Sequence, residues 1–268
     1  ESNPIAQFYM HPFTLDALPR GEQAREHIER YYDTFEQICE EGLDALIITG
    51  ANVTHPDLSQ EPFWESLREV FHWAQENVTS VLCSCLATHA AMQFEHGRKR
   101  RPLPAKRWGV FPHRVIRQNH PLVNDVNTLF DVPHSRWNDV SRAQFEAADL
   151  RVLAQSDVGV HLAASPDGFR FVFFQGHPEY DTISLLKEYK REVLRYAHGE
   201  TDHYPPFVEN YFSERNRAVL REYRLHLDEA LARGREEDNS DRPDRSRKQL
   251  QKMAPQAELD LHGFTADE

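Results

Sequence analysis

The feature that most constrains this chain is the alternation of short apolar runs with amphipathic segments. The runs Ala45–Ile48 and Thr79–Leu82 contain β-branched residues and carry no charge, as expected of buried strands in a parallel sheet. Apolar side chains recur every three or four residues over Gly21–Gly42, Pro62–Glu76 and Ala87–Glu95, which predicts helices. Because strands and helices alternate, the sequence predicts a three-layer α/β sandwich with a mostly parallel sheet.

The second half of the chain carries further strand and helix signals but is less regular. Val158–Ala164 and Phe169–Gln175 have the composition of strands and are joined by turn residues, which predicts a hairpin. The other predicted elements are short strands at Trp108–Phe111 and Val115–Ile116 and helices at Thr182–Ala197 and Glu214–Arg233. Beyond Arg233 the composition is polar and charged, which is typical of disorder. We therefore predict one α/β domain over residues 1–233 and a disordered tail over residues 234–268.

Charge and cysteine content argue against several classes of protein. The net charge of -12 disfavours a nucleic-acid partner, and no apolar run approaches the roughly 20 residues of a membrane span. Cys39, Cys83 and Cys85 are too few for a disulfide framework, and the first residues lack the regions of a signal peptide. We therefore expect a cytoplasmic protein without nucleic-acid or membrane partners. The basic run Arg98–Arg101 fits either a solvated loop or a contact with the phosphates of an anionic substrate.

Cys85 lies where a predicted buried strand meets the N-terminus of a predicted helix. Cys83 and Ala87, two positions to either side, are small, as the sharp turn of a nucleophile elbow requires. A helix N-terminus stabilises a thiolate and offers free backbone N–H groups to a developing oxyanion. The sequence thus predicts a cysteine nucleophile, and the alternative is a buried, inert cysteine.

The segment His177-Pro178-Glu179 supplies the partners that a cysteine nucleophile needs. It follows a predicted strand, so its side chains are expected at the carboxyl edge of the sheet, the same edge as Cys85. His177 would act as a base and Glu179 as the carboxylate that orients it. The histidines are scattered and no metal-binding motif is present, so we predict no metal site.

Taken together, these residues resemble the homoserine O-succinyltransferase family of MetA-type homoserine O-acyltransferases. The resemblance runs from about Leu43 to Phe212. It is carried by an ordered set of segments: Leu46–Ala51, Phe63-Trp64, Asn77–Ser80, Cys85, Gly109–Phe111, Pro133–Arg136, Gly176–Asp181 and Asn210–Phe212. The resemblance implies a class I glutamine amidotransferase-like (flavodoxin-like) fold.

The resemblance also implies roles for individual residues. Cys85 matches the acyl-accepting nucleophile, His177 the general base and Glu179 its orienting carboxylate. The positions that match substrate-contacting or site-lining residues are Lys106, Ser135, Arg136, Tyr180, Glu188 and Arg191. An arginine can grip the carboxylate of an amino acid, and Glu188 can accept its ammonium. The alternative for Glu188 and Arg191 is a solvated helix face.

Departures from the family pattern concern the acyl donor and the two ends of the chain. Leu86 and Ala87 replace the usual residues after the nucleophile, and Asn52 replaces a proline in the loop after the first strand. In that loop, Thr54 matches a position where Glu accompanies acetyl donors and Gly accompanies succinyl donors. Because Thr54 carries no negative charge, we expect succinyl-CoA to be favoured over acetyl-CoA. No counterpart of the family's first strand and helix precedes Ser2, and its usual C-terminal segment is absent.

The expected reaction is a two-step transfer through a cysteine acyl-enzyme. Backbone N–H groups near Val53, Thr54 and Leu86 would hold the oxyanion, and acyl-CoA would be a co-substrate, with no cofactor. The expected partners are therefore small molecules, acyl-CoA and homoserine or serine, with a homodimer as an open possibility. Serine acylation, a glutaminase-type amide hydrolase and a non-catalytic binding module are the alternatives.

Overall fold

The computed structural model describes residues 8–51 and 53–238, without the side chains of residues 234–238. The chain forms two compact units. The first comprises the described residues of Glu1–Lys106, His113–Phe130 and Arg136–Gly176. The second comprises those of Arg107–Pro112, Asp131–Ser135 and His177–Glu268. The division into one domain and a disordered tail stays a prediction, because most of the predicted tail, residues 239–268, lies outside the described residues.

The described strands form one mixed sheet. They are β1 (Ala45–Ile48), β2 (Ser80–Ser84), β3 (Arg101–Val115), β4 (Leu129–Asp139), β5 (Arg151–Ser156), β6 (Gly159–Ala164) and β7 (Phe171–Phe174). Their order across the sheet is β1-β2-β7-β6-β5-β3-β4. The pairs β1–β2 and β2–β7 are parallel, whereas β7–β6, β6–β5 and β5–β3 are antiparallel. The central residues of β3 and β4 belong to the second unit.

The described helices complete the predicted α/β architecture. They are α1 (Glu22–Tyr31), α2 (Phe35–Glu41), α3 (Trp64–Asn77), α4 (Leu86–His96), α5 (Arg142–Ala147), α6 (Ser184–Ala197) and α7 (Glu214–Asp238). The α/β class is thereby confirmed. Among the described residues, no helix is both long and apolar enough to cross a membrane.

The predicted helix over Gly21–Gly42 is wrong as a single element, because it breaks between α1 and α2. Thr34 begins α2 with a capping box, in which its hydroxyl accepts the Gln37 N–H and the Gln37 side chain accepts the Thr34 N–H. Just before the cap, the N–H of Asp33 donates to the carbonyl oxygen of Pro12 at 2.8 Å. These local bonds compete with a continuous helix and replace it.

The predicted burial of β1 is wrong for one of its faces. Leu46 is 4% exposed, whereas the neighbouring Ile47 is 58% exposed. β1 is the terminal strand in the order of the described sheet, and successive side chains of a strand point to opposite faces. Only the Leu46 face therefore contributes to the core.

The core of the first unit is built around α3, β2 and α4. The predicted inward stripe of the second helix is confirmed, since all its members are buried: Phe63, Leu67, Val70, Phe71 and Ala74. α4 is buried along most of its length, so it is fixed by the core from several sides. This packing holds the β2–α4 junction in place.

The second unit has its own core, which includes Trp108, Leu185, Tyr189 and Leu220. Predicted helix Thr182–Ala197 is confirmed as α6, and α7 follows the predicted Glu214–Arg233 and continues to Asp238. At Gly109, a Cβ atom would lie 2.4 Å from the carbonyl oxygen of Glu209, so only glycine allows this close approach of two backbones.

The region between α4 and the hairpin differs most from the prediction. The two short strands predicted at Trp108–Phe111 and Val115–Ile116 are one long strand, β3. The elements β4, α5 and β5 were not predicted. The predicted hairpin is confirmed as β6 and β7, which pair antiparallel.

Candidate active site

Cys85 lies at a sharp turn between β2 and α4. Its backbone has φ 50 and ψ -106, a region that residues other than glycine rarely occupy and that costs about 1–3 kcal/mol. The N–H of Cys85 donates to the carbonyl oxygen of Phe174 at 2.8 Å, and the Thr88 hydroxyl lies 2.8 Å from the carbonyl oxygens of Cys83 and Phe174. These bonds hold the strained conformation, which has the form of a nucleophile elbow.

The two neighbouring cysteines differ in exposure. Cys83 is fully buried in the core, and burial raises the pKa of its thiol. Cys85 is partly exposed and begins α4 as its N-cap residue. A reagent can therefore approach Cys85 but not Cys83, which favours Cys85 as the reactive thiol.

Arg100 provides a buried positive charge in the same unit as Cys85. Burial lowers the pKa of its guanidinium below the usual value, while the charges of Glu61, Cys85 and Asp57 act in the opposite direction. Of the basic run, Arg98 and Arg101 are exposed, as a solvated loop would have them, but Arg100 is only 9% exposed. The sequence did not identify Arg100 as a separate residue of interest.

The loop after β1 lies against the elbow. A Cβ atom at Gly50 would lie 3.5 Å from Leu86 Cβ and 3.8 Å from Leu86 N, at the start of α4. Val53 packs against the core cluster that contains Leu86. The backbone N–H of Thr54, however, donates to the carboxylate of Glu61 at 2.7 Å. This N–H is therefore engaged by Glu61 here, and its assignment to oxyanion binding stays a prediction.

The N-terminus of α4 still offers backbone donors. The first N–H groups of a helix have no partner within the helix, and Leu86 is the first residue of α4. The assignment of Leu86 and Val53 to oxyanion binding stays a prediction. Asn52, which replaces the family's usual proline, lies outside the described residues.

In the second unit, His177 is oriented as predicted. Its Nδ1 lies 2.8 Å from Oε1 of Glu179, and its ring stacks on that of Tyr180 at 4.2 Å between centroids. The N–H of His177 also donates to the carbonyl oxygen of Pro133 at 2.9 Å. With the Nδ1 proton directed at the carboxylate, Nε2 is the nitrogen that can accept a proton.

Glu188 joins three predicted site residues in the same unit. Its Oε2 accepts the hydroxyl of Ser135 at 2.6 Å, and its Oε1 accepts the hydroxyl of Tyr180. Because Tyr180 also stacks on His177, the structure links Ser135, Glu188, Tyr180 and His177 through direct contacts. Glu188 is partly buried, so the alternative of a solvated helix face does not describe it.

Three further predicted site residues are cationic. Arg136 is buried in the first unit, where it forms an ion pair with Asp139 at 2.9 Å. Arg191 is exposed on α6 and pairs with the adjacent Glu192 at 3.5 Å. Lys106 is partly buried in β3. Their role in substrate binding stays a prediction.

The described residues contain no group of three or more His, Cys, Asp or Glu side chains arranged to hold a metal ion. Each unit holds some of the predicted catalytic groups. Cys85 supplies a thiol at a helix N-terminus, and the His177–Glu179 pair supplies a base with a fixed tautomer.

Comparison with known proteins identifies many relatives. The family model for homoserine O-succinyltransferase matches residues 2–231. Curated proteins of that name are 68% identical over 236 residues in Allochromatium vinosum and 65% identical over 228 residues in Nitrosococcus oceani. These alignments cover 88% and 85% of this chain but 66% and 64% of the relatives. The chain therefore spans about two thirds of the length of the curated relatives that it matches.

Two solved structures illustrate a distant likeness. The glutaminase domain of CTPS from Trypanosoma brucei is 14% identical, with a TM-score of 0.44 over 60% of this chain and 70% of that one. A glutamine amidotransferase from Thermotoga maritima is 13% identical, with a TM-score of 0.42 over 90% and 92%. Likenesses at this level carry no argument about the reaction.

Proposed function

The chain belongs to the homoserine O-succinyltransferase family, and we propose that it transfers an acyl group from a coenzyme A thioester to the hydroxyl of homoserine. The observation that carries this proposal is the partly exposed thiol of Cys85 on a strained turn at the start of α4. A nucleophile held in this way can attack a thioester, while the N–H groups of the helix N-terminus favour the oxyanion that forms.

In the proposed first step, His177 takes the proton of Cys85 and the thiolate attacks the thioester carbonyl. The carbon–sulfur bond to coenzyme A breaks, His177 returns the proton to the leaving thiolate, and the acyl group remains on Cys85. The carboxylate of Glu179, 2.8 Å from Nδ1, stabilises the imidazolium that forms between these events.

The topology supports a shared role for these residues. Ser84 at the end of β2 pairs with Phe174 at the end of the parallel strand β7, so the chain leaves both strands at the same sheet edge. Cys85 is the next residue after β2, and His177 follows Phe174 by three residues. In parallel sheets, this edge is where active sites are assembled.

In the proposed second step, homoserine replaces coenzyme A. His177 removes the proton of its hydroxyl, the oxygen attacks the acyl-cysteine, the bond to Cys85 breaks, and His177 returns the proton to the Cys85 thiolate. The carboxylate of Glu188 is the candidate acceptor for the substrate ammonium, beside the hydroxyls of Ser135 and Tyr180. Lys106, Arg136 and Arg191 are the proposed cationic contacts of the substrate.

The experiment that tests this proposal is acylation of the full chain in the absence of the acceptor. With succinyl-CoA alone, mass spectrometry of peptides should find the acyl group on Cys85, and added homoserine should discharge it. Initial rates should give the parallel lines of ping-pong kinetics. Intersecting lines without an adduct on Cys85 would contradict the proposal. Serine or glutamine offered in place of homoserine tests the two enzymatic alternatives.

The proposed preference for succinyl-CoA gives a first prediction, that Thr54→Glu lowers kcat/KM for succinyl-CoA by about tenfold more than for acetyl-CoA. Two like charges about 4 Å apart repel by roughly 4 kcal/mol at an effective dielectric near 20. A third of that energy corresponds to about a tenfold change in kcat/KM. Thr54 is exposed in the loop that approaches the elbow, so the substitution should leave the fold intact.

The matched control for this prediction is Thr54→Gln, which has nearly the same size as the glutamate variant but no charge. The measured quantity is the ratio of kcat/KM for the two donors in each variant. If Thr54→Glu and Thr54→Gln give the same ratio, Thr54 does not sense the charge of the acyl chain and the proposed preference loses its support.

A further inference from the structure

The segment from Val53 to Asp57 is held by side chains from outside it, which the proposed mechanism does not use. Oε1 of Glu61 accepts the backbone N–H groups of Thr54 and His55 at 2.7 and 2.6 Å. Two successive N–H groups that converge on one oxygen form an anion nest, here occupied by the chain's own carboxylate. Glu61 is 6% exposed, so these N–H groups replace the water that would otherwise bind its carboxylate.

Arg100 binds the carbonyl groups of the same segment. Its Nη2 donates to the carbonyl oxygen of His55 at 2.8 Å and its Nε to that of Pro56 at 3.2 Å. The planar fork of the guanidinium thereby holds two successive carbonyls in a fixed geometry, whereas a lysine ammonium would hold them less rigidly. His55 is bound through both its N–H and its C=O.

The end of the segment is fixed as well. Asp57 accepts the ammonium of Lys99 at 2.5 Å and the side-chain amide of Gln93 at 2.7 Å. Hydrogen bonds from Lys99, Ser59 and Gln93 hold the pKa of the Asp57 carboxyl well below its usual value, so it is ionised near neutral pH. Gln93 belongs to α4, the helix that begins at Cys85, so the segment is tied to the element that carries the thiol.

We propose that Glu61 and Arg100 are positioning residues that clamp Val53–Asp57 beside Cys85 and thereby fix Thr54 where it meets the acyl chain of the donor. The inference rests on the proposed function and adds two residues to it. The segment is tied to the elbow helix because Gln93 of α4 donates to Asp57 at 2.7 Å and Val53 packs against the core cluster that contains Leu86, the first residue of α4. Discrimination between donors requires a fixed Thr54, since a mobile segment would let either acyl chain fit.

The first measurement is backbone amide exchange at Thr54 and His55 in the full chain. Loss of a hydrogen bond to a charged group should speed exchange of both amides by about 10- to 100-fold in Glu61→Ala. Glu61→Gln keeps an acceptor oxygen but no charge, so it should lie between wild type and Glu61→Ala. Glu61→Gln also allows the measurement if Glu61→Ala does not fold. The matched control is Glu65→Ala, which removes the same charge from an exposed position on α3.

The second measurement is the ratio of kcat/KM for succinyl-CoA and acetyl-CoA. In both Glu61 variants and in Arg100→Lys, the ratio should fall toward one by about threefold or more. Arg98→Lys, at an exposed position of the same basic run, should leave the ratio unchanged. A change in ratio separates positioning of the donor from a general loss of stability, which would lower both rates together.

The outcomes separate this inference from the proposed function. Faster amide exchange with a lower ratio supports the clamp as a determinant of donor choice. Faster exchange with an unchanged ratio, or unchanged exchange in Glu61→Ala, overturns the inference while the proposed function stands. If wild-type protein accepts an acyl group from neither donor, the proposed function fails, and the role of the clamp in donor choice fails with it.

Discussion

Cys85→Ser is expected to lower kcat/KM for acyl transfer by about a thousandfold or more, because the reaction loses its nucleophile. A serine hydroxyl has nearly the same size as the thiol, so the strained turn at φ 50 should persist. The hydroxyl is a far poorer nucleophile near neutral pH, and it forms an ester that is slower to release its acyl group than a thioester. Steady-state rates with succinyl-CoA and homoserine, together with a circular dichroism spectrum, check the result.

Cys83→Ser is the matched control for this variant. Cys83 lies two residues earlier, in β2, but it is fully buried and burial raises the pKa of its thiol. We expect the variant to keep most of its activity, at a cost of about 1–3 kcal/mol in the free energy of unfolding for the buried hydroxyl. If Cys83→Ser is inactive while Cys85→Ser turns over, the nucleophile has been assigned to the wrong residue.

The elements that the sequence predicted well are those whose core contacts follow a regular period. α3 and α6 bury a stripe with helical spacing, and β2 is a short run with no charged residue. The elbow could be located for the same reason, since Cys85 lies directly between two such elements. Periodicity identifies these elements because the side chains whose burial stabilises them recur at the period of the helix or strand.

The elements that were missed or misjudged depend on contacts that periodicity does not record. β3 carries two prolines and several charges in its first half, and β4 alternates polar and apolar residues around a proline, so neither has the composition of a buried strand. The break between α1 and α2 depends on the capping box at Thr34. The apolar spacing continues through this break and therefore predicts one continuous helix.

In the candidate site, too, a contact between sequence neighbours could be predicted, whereas contacts that depend on tertiary packing could not. The His177–Glu179 contact could be predicted because the two residues are two positions apart. The bonds of the Thr54 N–H to Glu61 and of Arg100 to the His55 carbonyl could not, because they depend on how the turn before α3 and the segment after α4 pack around the loop. In the sequence, Glu61 precedes Pro62 as an ordinary acid at a helix start, and Arg100 is one of several basic residues.

His177→Asn is expected to lower kcat/KM by about 100- to 10,000-fold, the range typical of a lost general base. Asparagine can replace part of the Nδ1 contact with Glu179 but cannot take up a proton. Glu179→Gln should cost less, because the Glu179 side chain is 48% exposed and water can replace part of its effect on the imidazolium. The measurement is kcat/KM for both substrates as a function of pH in wild type and the two variants.

The same unit offers a matched control in His198-Gly199-Glu200, which repeats the His-x-Glu spacing at an exposed position. His198 Nδ1 lies 4.0 Å from Oε1 of Glu200, compared with 2.8 Å in the His177–Glu179 pair. His198→Asn should leave kcat/KM unchanged, which shows that the spacing alone does not produce activity. If His177→Asn keeps near wild-type kcat/KM across the pH range, His177 is not the general base, and the proposed cysteine mechanism is contradicted.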